Sequence, residues 1–182
     1  MTSKLVVAAL LTLDGVHDSP RSFAGSYFDA DAAARSLVAL ESCAAMLMGR
    51  TTYEYFAPAW SAATDPYAAR VNGITKYVFS STLADPEWSN TRVVAGDPVA
   101  AVADLKKEAG GDLMIYGYGQ LSQTLLEHGL VDELKLSIFP VVAGSGIPVF
   151  RPGKTQALRL NDTATWPNGT IELTYTPVSS AG

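Results

Sequence analysis

A chain of 182 residues and 19.2 kDa is expected to form one domain over residues 1–182, burying roughly two thirds of its unfolded surface in a single core. Hydrophobic residues make up 48% and charged residues 17%, and no apolar run reaches the ~18 residues of a membrane span, so a membrane-embedded protein is excluded. Thirteen basic against eighteen acidic residues give a net charge of −5 with no Lys/Arg cluster, which argues against nucleic acid or an anionic membrane surface and for a small-molecule partner.

Cys43 is the only cysteine, so an internal disulfide and a cysteine metal cluster are excluded and a reducing cytoplasm is expected. His17 and His128 lack metal-ligand spacing, and no metal site is expected. The opening MTSKLVVAALL reads as a first strand rather than a signal peptide.

Leu5 to Leu13 is apolar apart from Thr12, as in a central strand covered on both faces, and Asp14-Gly15 ends it in a turn. A loop is expected up to about Phe28. Asp29 to Cys43 reads as a helix capped by Asp29 or Asp31, with Leu37, Leu40 and Ala44 sharing a face. Ala45 to Met48 is a second buried strand that runs into Gly49-Arg50-Thr51-Thr52. Glycine, arginine and two hydroxyls at a strand-to-helix junction suit a phosphate; equally, a threonine there caps a helix.

Pro58 to Asn72 reads as less regular, with Pro66 opening a short helix that ends near Gly73. Lys76 to Phe79 is a third strand ending in Ser80-Ser81-Thr82, either a ligand-binding hydroxyl cluster at a strand's carboxyl end or a turn made by those hydroxyls. Thr91 to Ala95 is a fourth strand, followed by a helix with Asp97 as cap and Pro98 at its first position.

From Leu113 to Tyr116 a fifth strand meets Gly117-Tyr118-Gly119, and Gln120 to His128 reads as a helix with Leu121, Leu125 and Leu126 on one side. Strand, glycine turn and helix can hold an anion on the helix's free amides, although the same pattern also makes a plain tight turn. Gly129 stops the helix and Val131 to Pro140 starts another strand, before which Asp132-Glu133 is read as structural. The repeated alternation of strand and helix predicts an α/β fold with a mainly parallel central sheet flanked by helices. Gln156 to Ala164, a turn at Trp166 to Gly169, and Thr170 to Thr176 predict a closing antiparallel hairpin, and Pro177 to Gly182 a frayed tail.

Taken together, MLMGRTTYE, YVFSSTL and MIYGYGQL followed by GLVDELKLSIFPVVAGSG resemble the dihydrofolate reductase-like superfamily. Within it, the resemblance is to the C-terminal reductase domain of the riboflavin-biosynthesis deaminase/reductase and its stand-alone bacterial relatives, and it spans roughly Leu5 to Thr176. It implies NADPH, with NADH possible, lying across the carboxyl ends of the strands. Gly49, Arg50, Thr51 and Thr52 would serve the cofactor's phosphates, Ser80 and Ser81 the adenosine 2′-phosphate, and Gly117, Tyr118, Gly119, Gln120 and Leu121 the pyrophosphate. Thr12 to Gly15 would end the strand whose loop covers nicotinamide and substrate. It also implies a homodimer, for which Leu136 to Val142 is either an interface or simply a buried strand.

The chain departs from its riboflavin-pathway relatives at the glycine turn, where Tyr116 replaces a glutamate and Tyr118 a glycine. If the family's cis peptide at this turn is kept, it falls on a non-proline residue. The function expected is NADPH-dependent hydride transfer to a small nitrogen heterocycle, pterin- or pyrimidine-like, or to an activated carbonyl. Candidate proton donors are Asp14, Asp29, Asp31, Tyr53 and Tyr116; for Asp29 and Asp31 the competing role is a helix cap, for Asp14 a turn. An alternative is a non-catalytic pterin-, flavin- or drug-binding protein in which the two tyrosines stack on a flat ligand. A third is a fold kept only as a dimer module.

Overall fold

The computed structural model describes residues 3–150 and 155–178. One sheet contains β1 (Leu5–Thr12), β2 (Cys43–Gly49), β3 (Thr75–Phe79), β4 (Thr91–Val94), β5 (Asp112–Tyr116), β6 (Glu133–Phe139), β7 (Leu158–Thr165) and β8 (Ile171–Pro177), in the spatial order β4-β3-β2-β5-β1-β6-β8-β7. Every neighbouring pair from β4 to β6 is parallel. The β6–β8 and β7–β8 pairs are antiparallel, so the expected parallel sheet and closing hairpin are both present. The helices are α1 (Arg21–Ala24), α2 (Ala30–Glu41), α3 (Arg50–Trp60), α4 (Pro66–Gly73), α5 (Pro98–Glu108) and α6 (Gln120–Glu127). None is long and apolar enough to cross a membrane.

Because side chains alternate across a strand, each central strand feeds two cores. Leu5, Val7, Ala9 and Leu11 of β1, Ala45 and Leu47 of β2, and Leu113 and Ile115 of β5 pack with Val102 of α5 and Leu125 and Leu126 of α6. The intervening Val6, Met46, Met48 and Met114 pack with Leu40 of α2, Tyr53 of α3 and Val71 of α4. Each fully buried leucine or valine contributes roughly 1.5–3 kcal/mol, which is why these strands carry almost no polar residue.

This layering opens the site. After β2 the chain leaves toward the α3 face, whereas after β5 it leaves toward the α6 face. Neighbouring strands whose connections diverge leave a crevice at their carboxyl ends, where ligands of open α/β sheets bind. The register Leu47↔Ile115 brings Gly49 and Gly117, each two residues further on, to the same end of that crevice.

Several local expectations are corrected. The segment before Phe28 is not all loop: α1 and a 3₁₀ turn at Gly25–Tyr27 form there, because Phe23 and Tyr27 pack edge-on against Phe139. The helix expected to reach Cys43 ends at Glu41, and Cys43 and Ala44 already belong to β2; pairing of Cys43 with Asp112, with a bulge before Ala45, overrides helix propensity. Pro58 lies inside α3, which continues to Trp60; so close to the helix end the ring forfeits a single backbone bond. In the expected tail, Pro177 completes β8 and the Val178 amide bonds the Ala157 carbonyl, while residues 179–182 lie outside the described residues. Leu136 and Phe139 are buried on β6, paired on both sides within the chain, so a buried strand accounts for them.

Asp132 and Glu133 are structural: Asp132 accepts from the Leu5 amide at 2.7 Å and pairs with Lys106, and Glu133 pairs with Lys4 at 2.7 Å.

Candidate functional site

A cleft of about 430 Å³ opens at the carboxyl ends of β2, β3, β4 and β5, lined among others by Gly49, Arg50, Thr51, Thr52, Ser80, Ser81, Gly117, Gly119, Gln120 and Leu121. Of the residues expected from sequence to bind cofactor, only Tyr118 is missing from this lining.

At the β2–α3 junction Gly49 is the N-cap residue, with extended backbone (φ −81°, ψ 169°) and no side-chain cap. Neither Thr51 nor Thr52 caps the helix; both lie in its first turn and line the cleft. The free amides at that helix start, beside the positive end of its dipole, suit an anion. The Arg50 guanidinium is held at the rim, with Nε donating to Glu54 Oε1 at 2.6 Å and a terminal nitrogen donating to Thr82 Oγ1 at 2.7 Å.

The β5–α6 junction repeats the design. Gly117 makes the turn with φ 94°, which disfavours any residue with a Cβ, and its amide bonds the Ala8 carbonyl at 2.8 Å. Every peptide bond among the described residues is trans, so this turn relies on Gly117. The buried Ser122 hydroxyl bonds the Gly117 carbonyl at 3.1 Å and braces the bend. Gly119 then caps α6 with extended backbone (φ −105°, ψ −163°).

Gly49 and Gly119 adopt conformations open to any residue, and a Cβ added at either would meet, among the described residues and beyond its immediate neighbours, no atom within 4 Å. Neither the backbone nor the packing of this chain requires glycine there. What the missing side chains leave is open space over the two helix starts, as close approach of an anion demands.

At the end of β3 the Ser80 hydroxyl accepts from the Thr82 and Leu83 amides at 3.1 and 3.0 Å, so it builds the turn while also facing the cleft. Ser81 is exposed on the rim.

The two tyrosines of the glycine turn do not stack over the cleft. The Tyr118 ring is buried in the α5–α6 core, edge-on to Phe150 and His17. Tyr116 reaches the cleft, but its ring packs edge-on to Phe56 against the opposite core. Its hydroxyl is buried near that of Tyr67 without a hydrogen bond of good geometry, and burial, then Tyr67, push its pKa far up. The stacking that motivated a purely ligand-binding protein is therefore absent from the cleft.

The other candidate proton donors are placed elsewhere. Asp14 accepts from the Thr12 hydroxyl at 2.6 Å and from the Ala143 and Gly144 amides at 3.0 and 2.8 Å; these bonds, that from Thr12 foremost, hold its pKa down at about 2. It fastens two loops and holds no proton at neutral pH. Asp29 caps α2 through the Ala32 amide at 2.8 Å, and Asp31 is exposed in the first turn of that helix. Tyr53 is buried, its hydroxyl accepting from the Trp88 amide at 3.1 Å.

Thr82, expected only as part of the hydroxyl cluster, anchors Arg50, and sequence reading missed Val94, Gly96 and Pro98 as lining of the cleft beyond β4. Gly96, with φ 97°, follows β4 as Gly117 follows β5, and that recurrence was available as a signal.

Three solved structures share the fold. A protein of Shewanella sp. PV-4 assigned to riboflavin biosynthesis aligns with TM-score 0.76 and 21% identity over 98% of this chain and 99% of its own. A pyrimidine reductase-like protein of Corynebacterium diphtheriae aligns with TM-score 0.67 and 14% identity, covering 98% and 93%. The diaminohydroxyphosphoribosylaminopyrimidine deaminase/5-amino-6-(5-phosphoribosylamino)uracil reductase of Thermotoga maritima aligns with TM-score 0.69 and 13% identity, covering 97% and 57%. At such identities the likeness is one of fold. In sequence, the uncharacterised Bacillus subtilis proteins YyaP and YwjB are 38% and 30% identical over 107 and 108 residues, each match covering 58% of this chain. The match spans 56% and 57% of those two relatives, just over half of each. Residues 3–171 match the model of the RibD C-terminal domain, and the chain belongs to that family.

Proposed function

We propose that this protein is an NADPH-dependent reductase acting on a small nitrogen heterocycle or an activated carbonyl. Its family supports a reductase-type function. The observation that carries the cofactor assignment is the pair of glycines, Gly49 and Gly119, that leave open space over two helix starts facing one cleft.

The residues fit a dinucleotide phosphate. The first amides of α3 and α6, with the Thr51 and Thr52 hydroxyls, would hold the phosphates, and Arg50 with Ser81 on the rim would hold the 2′-phosphate. When bound, reduced nicotinamide supplies hydride to an electrophilic carbon. The protein's part is to fix the geometry; among the described residues the one candidate acid that reaches the cleft, Tyr116, has its hydroxyl buried, so water is the proton source this reading proposes for the neighbouring nitrogen or oxygen.

Calorimetric titration with NADPH and NADH tests this. Saturable NADPH binding is expected, weakened about tenfold by Arg50→Ala through loss of one charge-assisted contact, with NADH little affected by the same change. Failure of both nucleotides to bind at millimolar concentration would overturn the assignment. We also propose a homodimer, for which a concentration-independent monomer in sedimentation is the contrary result.

A further inference from the structure

Among the described residues, Arg50 is the only charged side chain that lines the cleft. Any reading of a ligand's charge by a side chain there runs through this guanidinium. Its Nε donates to Glu54 Oε1 at 2.6 Å and one terminal nitrogen donates to Thr82 Oγ1 at 2.7 Å, which leaves the remaining N–H groups for a ligand.

The two partners act differently on that ligand. Thr82 is neutral. Its amide donates to Ser80 Oγ at 3.1 Å, and the Ser80 and Thr82 hydroxyls lie 3.5 Å apart, so Thr82 ties the guanidinium to the turn after β3. Glu54 lies one helical turn beyond Arg50 on α3 and brings a full negative charge against it. Both side chains of the ion pair are half exposed, and a pair so placed adds little to stability. Its larger consequence is electrostatic, because the carboxylate cancels the formal charge of Arg50.

The dinucleotides differ where that charge matters. A phosphate monoester carries roughly −1.5 to −2 at pH 7. Arg50 attracts it and Glu54 repels it from nearly the same place, whereas a 2′-hydroxyl carries no charge for either to act on. Resting on the reductase reading above, we propose that Glu54 is a specificity-determining residue: its carboxylate weakens the hold of Arg50 on a 2′-phosphate and narrows the preference for NADPH over NADH. Thr82 is the positioning residue that keeps the guanidinium at the rim. The two set the preference from opposite sides.

The probes are adenosine 2′,5′-bisphosphate and adenosine 5′-monophosphate, which differ only in the 2′-phosphate, titrated into the full chain by calorimetry. The ratio of their affinities is the readout. Glu54→Gln keeps an oxygen for Arg50 Nε and removes the charge, so it is expected to raise the ratio about fivefold at low salt. That gain is expected to vanish at about 1 M salt, where the screening length falls to about 3 Å. Thr82→Val keeps the shape of the side chain, removes the anchor, and is expected to lower the ratio about threefold. Both positions are exposed, so each variant is expected to melt with the wild type.

A ratio that Glu54→Gln leaves unchanged or lowers, a gain that survives high salt, a ratio indifferent to Thr82→Val, or no saturable binding of either probe would overturn the assignment. Should whole NADPH still bind in any of those cases, the reductase reading would stand without it. The expected changes of ratio, in a protein that binds neither whole dinucleotide, would leave the rim standing and remove the reductase reading.

Discussion

The floor and the rim of the cleft are built by opposite means. The floor is built largely of backbone: helix starts, extended glycines and a turn, joined by the side chains of Thr51 and Thr52, with Arg50 at the rim. The rim is made of side chains, Arg50 held between Glu54 and Thr82. Backbone donors arranged at helix starts read charge and geometry but little else, which suits the phosphates common to both dinucleotides. Charged side chains at the rim read the one group in which the dinucleotides differ, because a 2′-phosphate and a 2′-hydroxyl differ in charge. Discrimination between the cofactors is therefore expected at the rim, and affinity for both on the floor.

The change expected to break this comparison most sharply is Gly49→Ala. The backbone of Gly49 accepts alanine and nothing among the described residues, its immediate neighbours aside, opposes the new Cβ, so stability should fall by no more than about 1 kcal/mol, the difference between glycine and alanine at an N-cap. The methyl group would nevertheless occupy the approach to the α3 amides. Loss of about two charge-assisted hydrogen bonds weakens NADPH and NADH alike, about a hundredfold in a calorimetric titration, while the ratio of the two affinities stays as in wild type. A shifted ratio would mean that floor and rim are one device.

A smaller effect is expected of Asp14→Asn. Asparagine cannot accept from Thr12, Ala143 and Gly144 as a carboxylate does, so the loops after β1 and β6, which meet the cleft at Gly119 and Gln120, loosen; NADPH and NADH should weaken together several-fold, with their ratio unchanged. The acid dependence has a definite sign. Folding lowers this carboxyl from its ordinary 3.8 to about 2, so between those values the unfolded chain binds more protons and stability rises with pH. The contribution is whole above about pH 4 and is lost as pH falls through 2. Thermal melts across that window should show the wild type converging on Asp14→Asn.

The same contrast explains what the sequence made legible. The cleft was readable because its parts are contiguous punctuation at strand ends: Gly49 to Thr52, Ser80 and Ser81, Gly117 to Leu121. Each signals a turn, the first and last also a helix start, and α/β topology brings such ends together. The parallel sheet was readable for the same reason, since apolar runs and caps such as Asp97-Pro98 are local. The anchoring of Arg50 at the rim was not, because Thr82 lies 32 residues away and meets it only through the parallel pairing of β2 with β3. Nor was the direction of Tyr116 and Tyr118, which depends on which core each residue's place in the pleat faces, nor the role of Asp14, whose amide partners lie 129 and 130 residues away.

Lys76 supplies the control with the smallest expected effect on binding, and it tests the premise that a cation reads the ligand only from the rim. This lysine is fully buried, yet its ammonium donates to the Val71, Asn72 and Ile74 carbonyls at 2.8, 3.2 and 2.8 Å and lies 4.6 Å from the centre of the Trp88 ring. Its needs are met from within the chain, at the carboxyl end of α4, where a cation is favoured. Lys76→Met should thus leave both NADPH and NADH affinities unchanged, in contrast to Arg50→Ala. Burial lowers the lysine's pKa from 10.5 to about 8, so between these values the unfolded state holds the extra proton and wild-type stability rises with pH. Relative to Lys76→Met, denaturant melts should show the wild type gaining on the order of 1–3 kcal/mol from pH 8 to 10.5. A change in the ratio of NADPH to NADH affinity in this variant would mean that a cation acts on the ligand whether or not it faces the cleft, and the argument from Arg50 and Glu54 would lose its force.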